Sequence, residues 1–149
     1  LSDLRRDPRN MLYGHKTLNY LENVLTHEKA IRDGFADVIH LGPSDQLLEG
    51  CVTNLFVVTK GRVRTPALGS ILPGVTRQAI LRLARKYRMP IREENLKPRD
   101  LLNADEAFLT NALVEVLPIA KVGSRRIGDG KPGPVTLKMM RGYGSWVAG

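Results

Sequence analysis

The chain has 149 residues, of which 42% are hydrophobic and 26% are charged, and its formal net charge is +8 at pH 7. This length suits a single globular domain with a core of its own, and no apolar run approaches the roughly 20 residues that a membrane-spanning helix needs. Because the basic residues are scattered in small groups and only 5% of residues are aromatic, we expect a solvated basic surface, with no nucleic-acid partner and no membrane partner.

Hydrophobic spacing predicts helices and hairpins that alternate along the chain. The segment 17–32 has leucines at helical spacing, which places Lys16 in the loop that enters the first helix. The later predicted elements are strands 36–41, 55–59 and 62–65, helix 76–87, strand 90–94, helix 99–104, strands 106–110 and 116–119, and helix 135–141. This order predicts the α/β or α+β class around a mixed, largely antiparallel sheet, with residues 1–149 as one domain.

Two early segments carry side chains that are suited to chemistry. Lys16 lies just before the predicted first helix, where a lysine is usually only a solvated charge. Glu49 precedes Gly50 at the start of a buried strand. It could be a turn residue or a charge held ready for a cationic partner. We expect the amide of Asn54, beside the same strand, to hydrogen-bond to backbone, because buried amides are satisfied.

Two later segments fit ligand binding and ordinary local structure equally well. Gly74 frees the backbone before a predicted helix, and the N–H groups of Val75 and Thr76 open that helix. Such a helix start with a hydroxyl is a ready phosphate site, but Thr76 is also an ordinary N-cap residue. Further along, a buried strand ends at Asn111 and Ala112, which fit a ligand contact and a simple turn alike.

These four segments, with a fifth near the C-terminus, resemble in their order and spacing the class IV (fold-type IV) enzymes that depend on pyridoxal 5′-phosphate (PLP). That family includes branched-chain aminotransferases, D-amino-acid aminotransferases and aminodeoxychorismate lyases. The resemblance spans about residues 12–137 and rests on HKTLNYL (15–21), EGCVTNLF (49–56), TPALGSILPGVTR (65–77), ADEAFLTNAL (104–113) and GKPGPVT (130–136). It implies the C-terminal, cofactor-binding domain of this fold, a mixed, largely antiparallel sheet or pseudo-barrel with flanking helices.

The resemblance also implies a role for each candidate residue. Lys16 matches the lysine that forms a Schiff base with PLP and then shuttles a proton. Glu49 matches the carboxylate that pairs with the pyridine nitrogen and keeps the ring able to accept electrons. Tyr20 resembles a tyrosine near the phenolic oxygen, although its spacing from the lysine is one residue shorter. The remaining matches are Leu72, which packs against the ring, Val75 and Thr76, which bind the phosphate, and Asn111 and Ala112, which contact phosphate or substrate.

Two features depart from the family pattern. Family members have an N-terminal domain that supplies a phosphate-binding arginine, and we find no counterpart of it here; Arg9 is a weak candidate for that arginine. The start without Met suggests a piece of a longer protein, so we expect residues 1–149 alone to bind PLP weakly and to turn over little substrate. In addition, the run from Thr110 to Leu113 resembles the lyase branch more than the branched-chain enzymes.

The function implied by the resemblance is PLP-dependent transfer of an amino group between a branched-chain or D-amino acid and a 2-oxo acid. The alternatives are a lyase of the aminodeoxychorismate type, which expels pyruvate, and a truncated chain that is catalytically weak or not an enzyme. We expect a homodimer, with an N-terminal domain supplied in cis or in trans. Cys51 is the single cysteine, which favours a cytoplasmic protein, and the isolated histidines predict no metal site.

Overall fold

A computed structural model describes residues 1–7 and 9–149, and within them a seven-stranded sheet and a two-stranded hairpin are flanked by helices. The strands are β1 (Ile39–Leu41), β2 (Leu47–Gly50), β3 (Asn54–Thr59), β4 (Arg62–Thr65), β5 (Ile91–Glu93), β6 (Glu106–Asn111), β7 (Glu115–Pro118), β8 (Lys121–Val122) and β9 (Arg125–Arg126). The helices are α1 (Leu21–Arg32), α2 (Val75–Lys86), α3 (Pro98–Leu102) and α4 (Pro134–Val147), with a 3₁₀ helix at Met11–Gly14. No helix in these ranges is long and apolar enough to cross a membrane.

Strand β3 is the centre of the sheet. It pairs antiparallel with β6 from Asn54 to Val58, and with β4 through a tight turn at Lys60 and Gly61, both of which have positive φ. Strand β2 meets β3 at the pair Glu49 and Asn54, and β1 and β7 extend the sheet beyond β2 and β6. Only the pair β4 and β5 is parallel among the paired strands described. The prediction of a mixed, largely antiparallel sheet with flanking helices is therefore confirmed.

Both faces of the sheet are covered by apolar side chains. Alternate residues of a strand point to opposite faces, so neighbouring residues of β3 enter different clusters. Phe56 and Phe108 stack with ring centroids 5.0 Å apart on the face against which α2 and α4 pack. Leu55 and Leu109 lie on the other face, together with Leu101 of α3. The starts of α2 and α4 are thus fixed over the sheet by a packed core.

Several predicted boundaries were wrong, for local reasons. Helix α1 begins at Leu21 and not at residue 17, because the Thr17 hydroxyl accepts a hydrogen bond from the Asn19 N–H and forms a turn. The strand predicted over 36–41 begins at Ile39, since the Asp37 carboxylate is bonded to backbone and side-chain donors of the loop. Helix α4 continues six residues beyond the predicted end, to Val147.

Strand β2 and the hairpin of β8 and β9 were not predicted. Strand β2 ends in Glu49 and Gly50, residue types that are depleted in strands. Its pairing with β1 and β3, and not a pattern within its own four residues, defines it as a strand. Strands β8 and β9 have only two residues each, which is too short for a periodic signal.

The apolar side of α1 is exposed in this chain, although its spacing suggested a core-facing helix. Leu21 is 65% exposed, Leu25 is 55% exposed and Ile31 is 54% exposed. Ala30 is the buried residue of this helix. Burial of apolar surface therefore contributes little to the placement of α1, and polar contacts near its start carry more of that placement.

Helix α4 is anchored to the sheet by a buried carboxylate. Glu106 Oε2 accepts a hydrogen bond from the Thr136 N–H at 2.7 Å, and Oε1 accepts one from the Val135 N–H at 3.1 Å. Both donors belong to the first turn of α4, where backbone N–H groups lack partners within the helix. The charge of Glu106 also suits the positive end of the helix dipole.

We expect Glu106→Gln to lower the free energy of unfolding by about 1.5–3 kcal/mol, because an amide cannot accept both bonds and has no charge. Urea unfolding followed by circular dichroism measures this loss. Glu28→Gln is the matched control, since Glu28 is an exposed residue of α1 and surface changes usually stay within about 0.5 kcal/mol. Equal stability of the two variants would contradict the anchoring role of Glu106.

Candidate active site

All eight predicted site residues line one cavity of about 580 Å³. They are Lys16, Tyr20, Glu49, Leu72, Val75, Thr76, Asn111 and Ala112. The walls come from the segment before α1, the end of β2, the start of α2 and the turn between β6 and β7. A larger cavity of about 860 Å³ lies between α1 and β7 and is lined by none of these eight residues. Sequence segments that are far apart therefore meet at one place.

Glu49 is buried and is held by donors at both carboxylate oxygens. Arg6 Nη1 donates to Oε1 at 3.1 Å, while the Leu72 N–H at 2.9 Å and Asn54 Nδ2 at 3.1 Å donate to Oε2. Burial raises the pKa of Glu49 to about 7, whereas the Leu72 N–H and the charge of Arg6 act in the opposite direction. Three donors, one of them the Arg6 cation, favour the ionised form and so offset part of the effect that burial has on the pKa of this carboxylate.

Arg6 is the functional candidate that the sequence analysis missed. Its side chain is 2% exposed, and its guanidinium contacts Glu22 at 3.2 Å through Nε and Glu49 at 3.1 Å through Nη1. It also donates to Asn23 and lies over the Tyr13 ring, 4.7 Å from the ring centroid. Arg6 thus ties the start of the chain and α1 to the end of β2.

Arg9, the weak candidate for an arginine near the phosphate, is not part of the cavity wall. Its side chain is 88% exposed and pairs with Asp7 at 2.7 Å. A simple pattern of neighbouring arginines does not separate Arg6 from Arg5 or Arg9. The distinction comes from burial, which depends on residues of α1 and β2.

Lys16 and Tyr20 form one side of the cavity, in the irregular segment before α1. The Lys16 ammonium lies 5.4 Å from the centroid of the Tyr20 ring, within the range of a cation–π contact. Lys16 is exposed towards the cavity and solvent, and Tyr20 is half-buried. A thiol also lines the cavity, but burial raises the pKa of Cys51 to about 12, which keeps it protonated and a poor nucleophile.

The start of α2 forms another wall and presents free backbone donors. Gly74 is the N-cap residue, with no side-chain cap, and the first turn has no acidic residue. Gly74 approaches Asn54 so closely that a Cβ there would lie 2.2 Å from Asn54 Oδ1. The N-cap alternative for Thr76 is therefore wrong, since Thr76 lies two residues inside the helix. Its hydroxyl is 3.1 Å from the Tyr143 hydroxyl.

The end of β6 adds a hydroxyl that the sequence analysis did not select. Thr110 Oγ1 is buried and has no hydrogen-bond partner within residues 1–7 and 9–149, and Thr110 lines the same cavity. Thr110 is paired across the sheet with Asn54. The side chain of Asn111, by contrast, is used in the turn, where its oxygen accepts the N–H groups of Leu113 and Val114. Ala112 is exposed at the rim of the cavity.

A family model described as amino-transferase class IV matches residues 1–122. The branched-chain-amino-acid aminotransferase of Pseudomonas aeruginosa is 35% identical over 130 residues, which cover 87% of this chain and 42% of that protein. The D-alanine aminotransferase of Staphylococcus haemolyticus is 34% identical over 134 residues, which cover 89% of this chain and 47% of that protein. The chain thus spans less than half the length of these curated relatives.

Solved structures give the same result. The branched-chain amino acid aminotransferase of Escherichia coli superposes with a TM-score of 0.90 at 34% identity, over 95% of this chain and 48% of that one. The branched-chain amino acid aminotransferase of Thermobaculum terrenum in its PLP form superposes with a TM-score of 0.89 at 30% identity, over 96% of this chain and 48% of that one. A putative 4-amino-4-deoxychorismate lyase of Legionella pneumophila superposes with a TM-score of 0.89 at 27% identity, over 94% of this chain and 52% of that one.

These findings confirm the family and its cofactor, PLP, as the sequence motifs predicted. The family model covers most of the chain, and the structural agreement extends over nearly all of it. This chain belongs to the class IV aminotransferase family of fold-type IV PLP enzymes.

Proposed function

We propose that this chain carries the PLP site of an aminotransferase, with Lys16 as the point of covalent attachment. One observation carries the proposal: a single cavity is lined by the Lys16 amine, the buried Glu49 carboxylate and the uncapped start of α2. Those three features match the aldehyde, the ring nitrogen and the phosphate of PLP in chemical type. The named aminotransferases among the relatives support the reaction class.

The ring end of the site has a simple division of roles. When bound, PLP supplies a ring that accepts an electron pair from a substrate bond. Glu49 holds a proton at the ring nitrogen, and its donors fix the carboxylate in position. The Lys16 amine would act as the base, which takes a proton from the substrate carbon and holds it at Nζ. Tyr20 would orient Lys16 through the contact of the ammonium with the tyrosine ring. The Leu72 side chain would pack against the cofactor ring, while the Leu72 N–H binds Glu49.

The phosphate end is built from donors. A phosphate monoester carries about −1.5 to −2 charges near neutral pH and offers acceptor oxygens. The N–H groups of Val75 and Thr76, with the Thr76 hydroxyl, face it at the positive end of α2. The buried, unpartnered hydroxyl of Thr110 is a further donor at this end of the cavity. Asn111 and Ala112 contribute through their backbone, since the Asn111 amide is already bonded in its turn.

The proposed substrates are a branched-chain or D-amino acid and a 2-oxo acid, on the strength of both kinds of relative. A lyase of the aminodeoxychorismate type is the second candidate. It is favoured by the structural likeness to the Legionella protein and by the run from Thr110 to Leu113. The homodimer and the contribution of an N-terminal domain stay predictions.

Lys16 is tested by attachment and by one turnover. We expect borohydride reduction of the PLP-loaded chain to leave a phosphopyridoxyl group on Lys16, found by peptide mapping. The loaded chain should also convert a branched-chain or D-amino acid into up to one equivalent of 2-oxo acid per bound cofactor. Lys16→Ala should abolish both, because the amine is both attachment point and base.

The control for this test is Lys86→Ala, at an exposed lysine of α2 outside the cavity. Label on another lysine, with Lys16 free, would end the assignment. Release of pyruvate from an aminodeoxychorismate substrate, without amino-group transfer from any amino acid, would favour the lyase.

The charge state of Glu49 is tested by removing Arg6. We expect Arg6→Gln to raise the pKa of Glu49 above its value of about 7, because the buried carboxylate loses its cation. Carbon-13 NMR of side-chain-labelled glutamate measures this pKa in the chain without cofactor. In the unmodified chain, the Glu49 carboxyl of the folded state keeps its proton to a higher pH than the same carboxyl in the unfolded state. The contribution of Glu49 to the free energy of unfolding therefore falls as pH rises from 4.5 to about 7.

In Arg6→Lys the pKa of Glu49 should stay close to its value in the unmodified chain, since lysine keeps the positive charge. Arg9→Gln is the matched control, because Arg9 is exposed and pairs only with Asp7 among the contacts described. A Glu49 pKa that is unchanged in Arg6→Gln would contradict the role given to Arg6.

The phosphate end is tested by Thr76→Val. We expect PLP to bind about ten- to hundredfold more weakly, with pyridoxal unaffected, because one hydrogen bond to a charged oxygen is lost. Absorbance titrations with both compounds give the two dissociation constants. Thr136→Val is the control, since Thr136 is a buried threonine in the first turn of α4 and lies outside the cavity wall. Equal effects on PLP and pyridoxal would mean that Thr76 serves only the fold.

A further inference from the structure

The hydroxyl of Thr76 has its partner on the last helix of the chain. Thr76 Oγ1 and the Tyr143 hydroxyl are 3.1 Å apart, and the residues are 1% and 8% exposed. Either oxygen can donate in this contact. Tyr143 lies beyond residue 122, where the family model ends, so this contact is not part of the matched motifs.

The direction of this hydrogen bond matters for phosphate binding. A threonine hydroxyl has one proton to donate and two lone pairs to accept. If Thr76 donates to Tyr143, no proton remains for a ligand oxygen. If Tyr143 donates to Thr76, the Thr76 proton is free for an acceptor in the cavity. A phosphate oxygen acts as acceptor here, so its binding selects the second arrangement, and a chain of two donors strengthens both bonds.

A second observation marks the cavity as a ligand site. Thr110 is 1% exposed, its hydroxyl has no partner within the described ranges, and it lines the same cavity as Thr76. Buried hydroxyls are normally hydrogen-bonded, so an orphan one calls for a ligand or water. Its cross-strand partner Asn54 contacts Gly74, the N-cap of α2. Asn54 thus connects its strand pair with Thr110 to the start of α2 and, through its bond to Glu49, to the buried carboxylate.

Tyr143 is held in place by contacts other than the one to Thr76. Helix α4 is fixed at its start by Glu106, and its middle packs on α2, where the Tyr87 hydroxyl lies against Gly142. Tyr143 itself belongs to the core cluster of Phe56 and Phe108. A tyrosine that is fixed this way can orient a neighbouring hydroxyl without moving.

We propose that Tyr143 is a positioning residue for phosphate recognition: it donates to Thr76 Oγ1 and thereby directs the Thr76 proton to the cofactor phosphate. The inference rests on the proposed function, because it requires the phosphate at the start of α2. It extends the site from the motif-bearing segments to α4. Tyr143 does not touch the cofactor and acts through Thr76.

The test compares PLP with pyridoxal, which lacks the phosphate. The measured quantity is the preference, the dissociation constant of pyridoxal divided by that of PLP, obtained by absorbance titration of the full chain. We expect Tyr143→Phe, which keeps the ring and removes the hydroxyl, to lower this preference about three- to tenfold. Tyr87→Phe is the matched control, because Tyr87 lies at the same interface of α2 and α4, and its preference should stay unchanged.

A double-mutant cycle separates positioning from packing. In the Thr76→Val background, Tyr143→Phe should have no further effect on the preference, since the hydroxyl through which it acts is gone. Thermal unfolding without cofactor checks that each variant is folded. If the parent chain prefers PLP over pyridoxal and Tyr143→Phe leaves that preference unchanged, the role of Tyr143 is overturned while the phosphate site stands. A parent chain that binds PLP and pyridoxal equally would overturn the phosphate site itself, and the inference with it.

Discussion

The buried ion pair between Arg6 and Glu49 is the contact on which the arrangement of the site depends. It joins the chain segment before Lys16 to the end of β2, and through Glu22 it also reaches α1. Helix α1 exposes most of its apolar side, so core packing does not fix it against the sheet. A charged contact of short length and fixed geometry takes over that task.

Burying this pair has a cost that the structure offsets locally. Removing an ion from water costs several kcal/mol even after relaxation. Arg6 spreads its charge over two carboxylates, an amide oxygen and the Tyr13 ring, and Glu49 receives three donors. Neither charge is left without partners. The same contacts offset part of the rise that burial causes in the pKa of Glu49.

The other end of the cavity depends on the hydrophobic core. Helices α2 and α4 lie on one face of the sheet over the stacked Phe56 and Phe108. This packing sets where the first N–H groups of α2 lie and brings Tyr143 next to Thr76. Lys16 lies in an exposed, irregular segment, whereas the first N–H groups of α2 belong to a helix that packs on the core.

Local structure and local chemistry could be predicted from the order of the residues. Strands β3 and β4, their turn and helix α2 follow from side-chain periodicity and turn residues, and the motifs single out Lys16, Glu49 and Thr76. Their shared cavity was expected only through the resemblance to a family. Periodicity also placed leucines on one side of α1 without showing that this side is exposed.

The side chains that support the site could be identified only after the chain had folded. Arg6 is 43 residues from Glu49, and Thr76 is 67 residues from Tyr143. Strand β2 and the orphan hydroxyl of Thr110 likewise depend on neighbours in the sheet. The physical reason is that backbone propensity and side-chain period act over a few residues, whereas burial and hydrogen-bond partners are set by packing between distant segments.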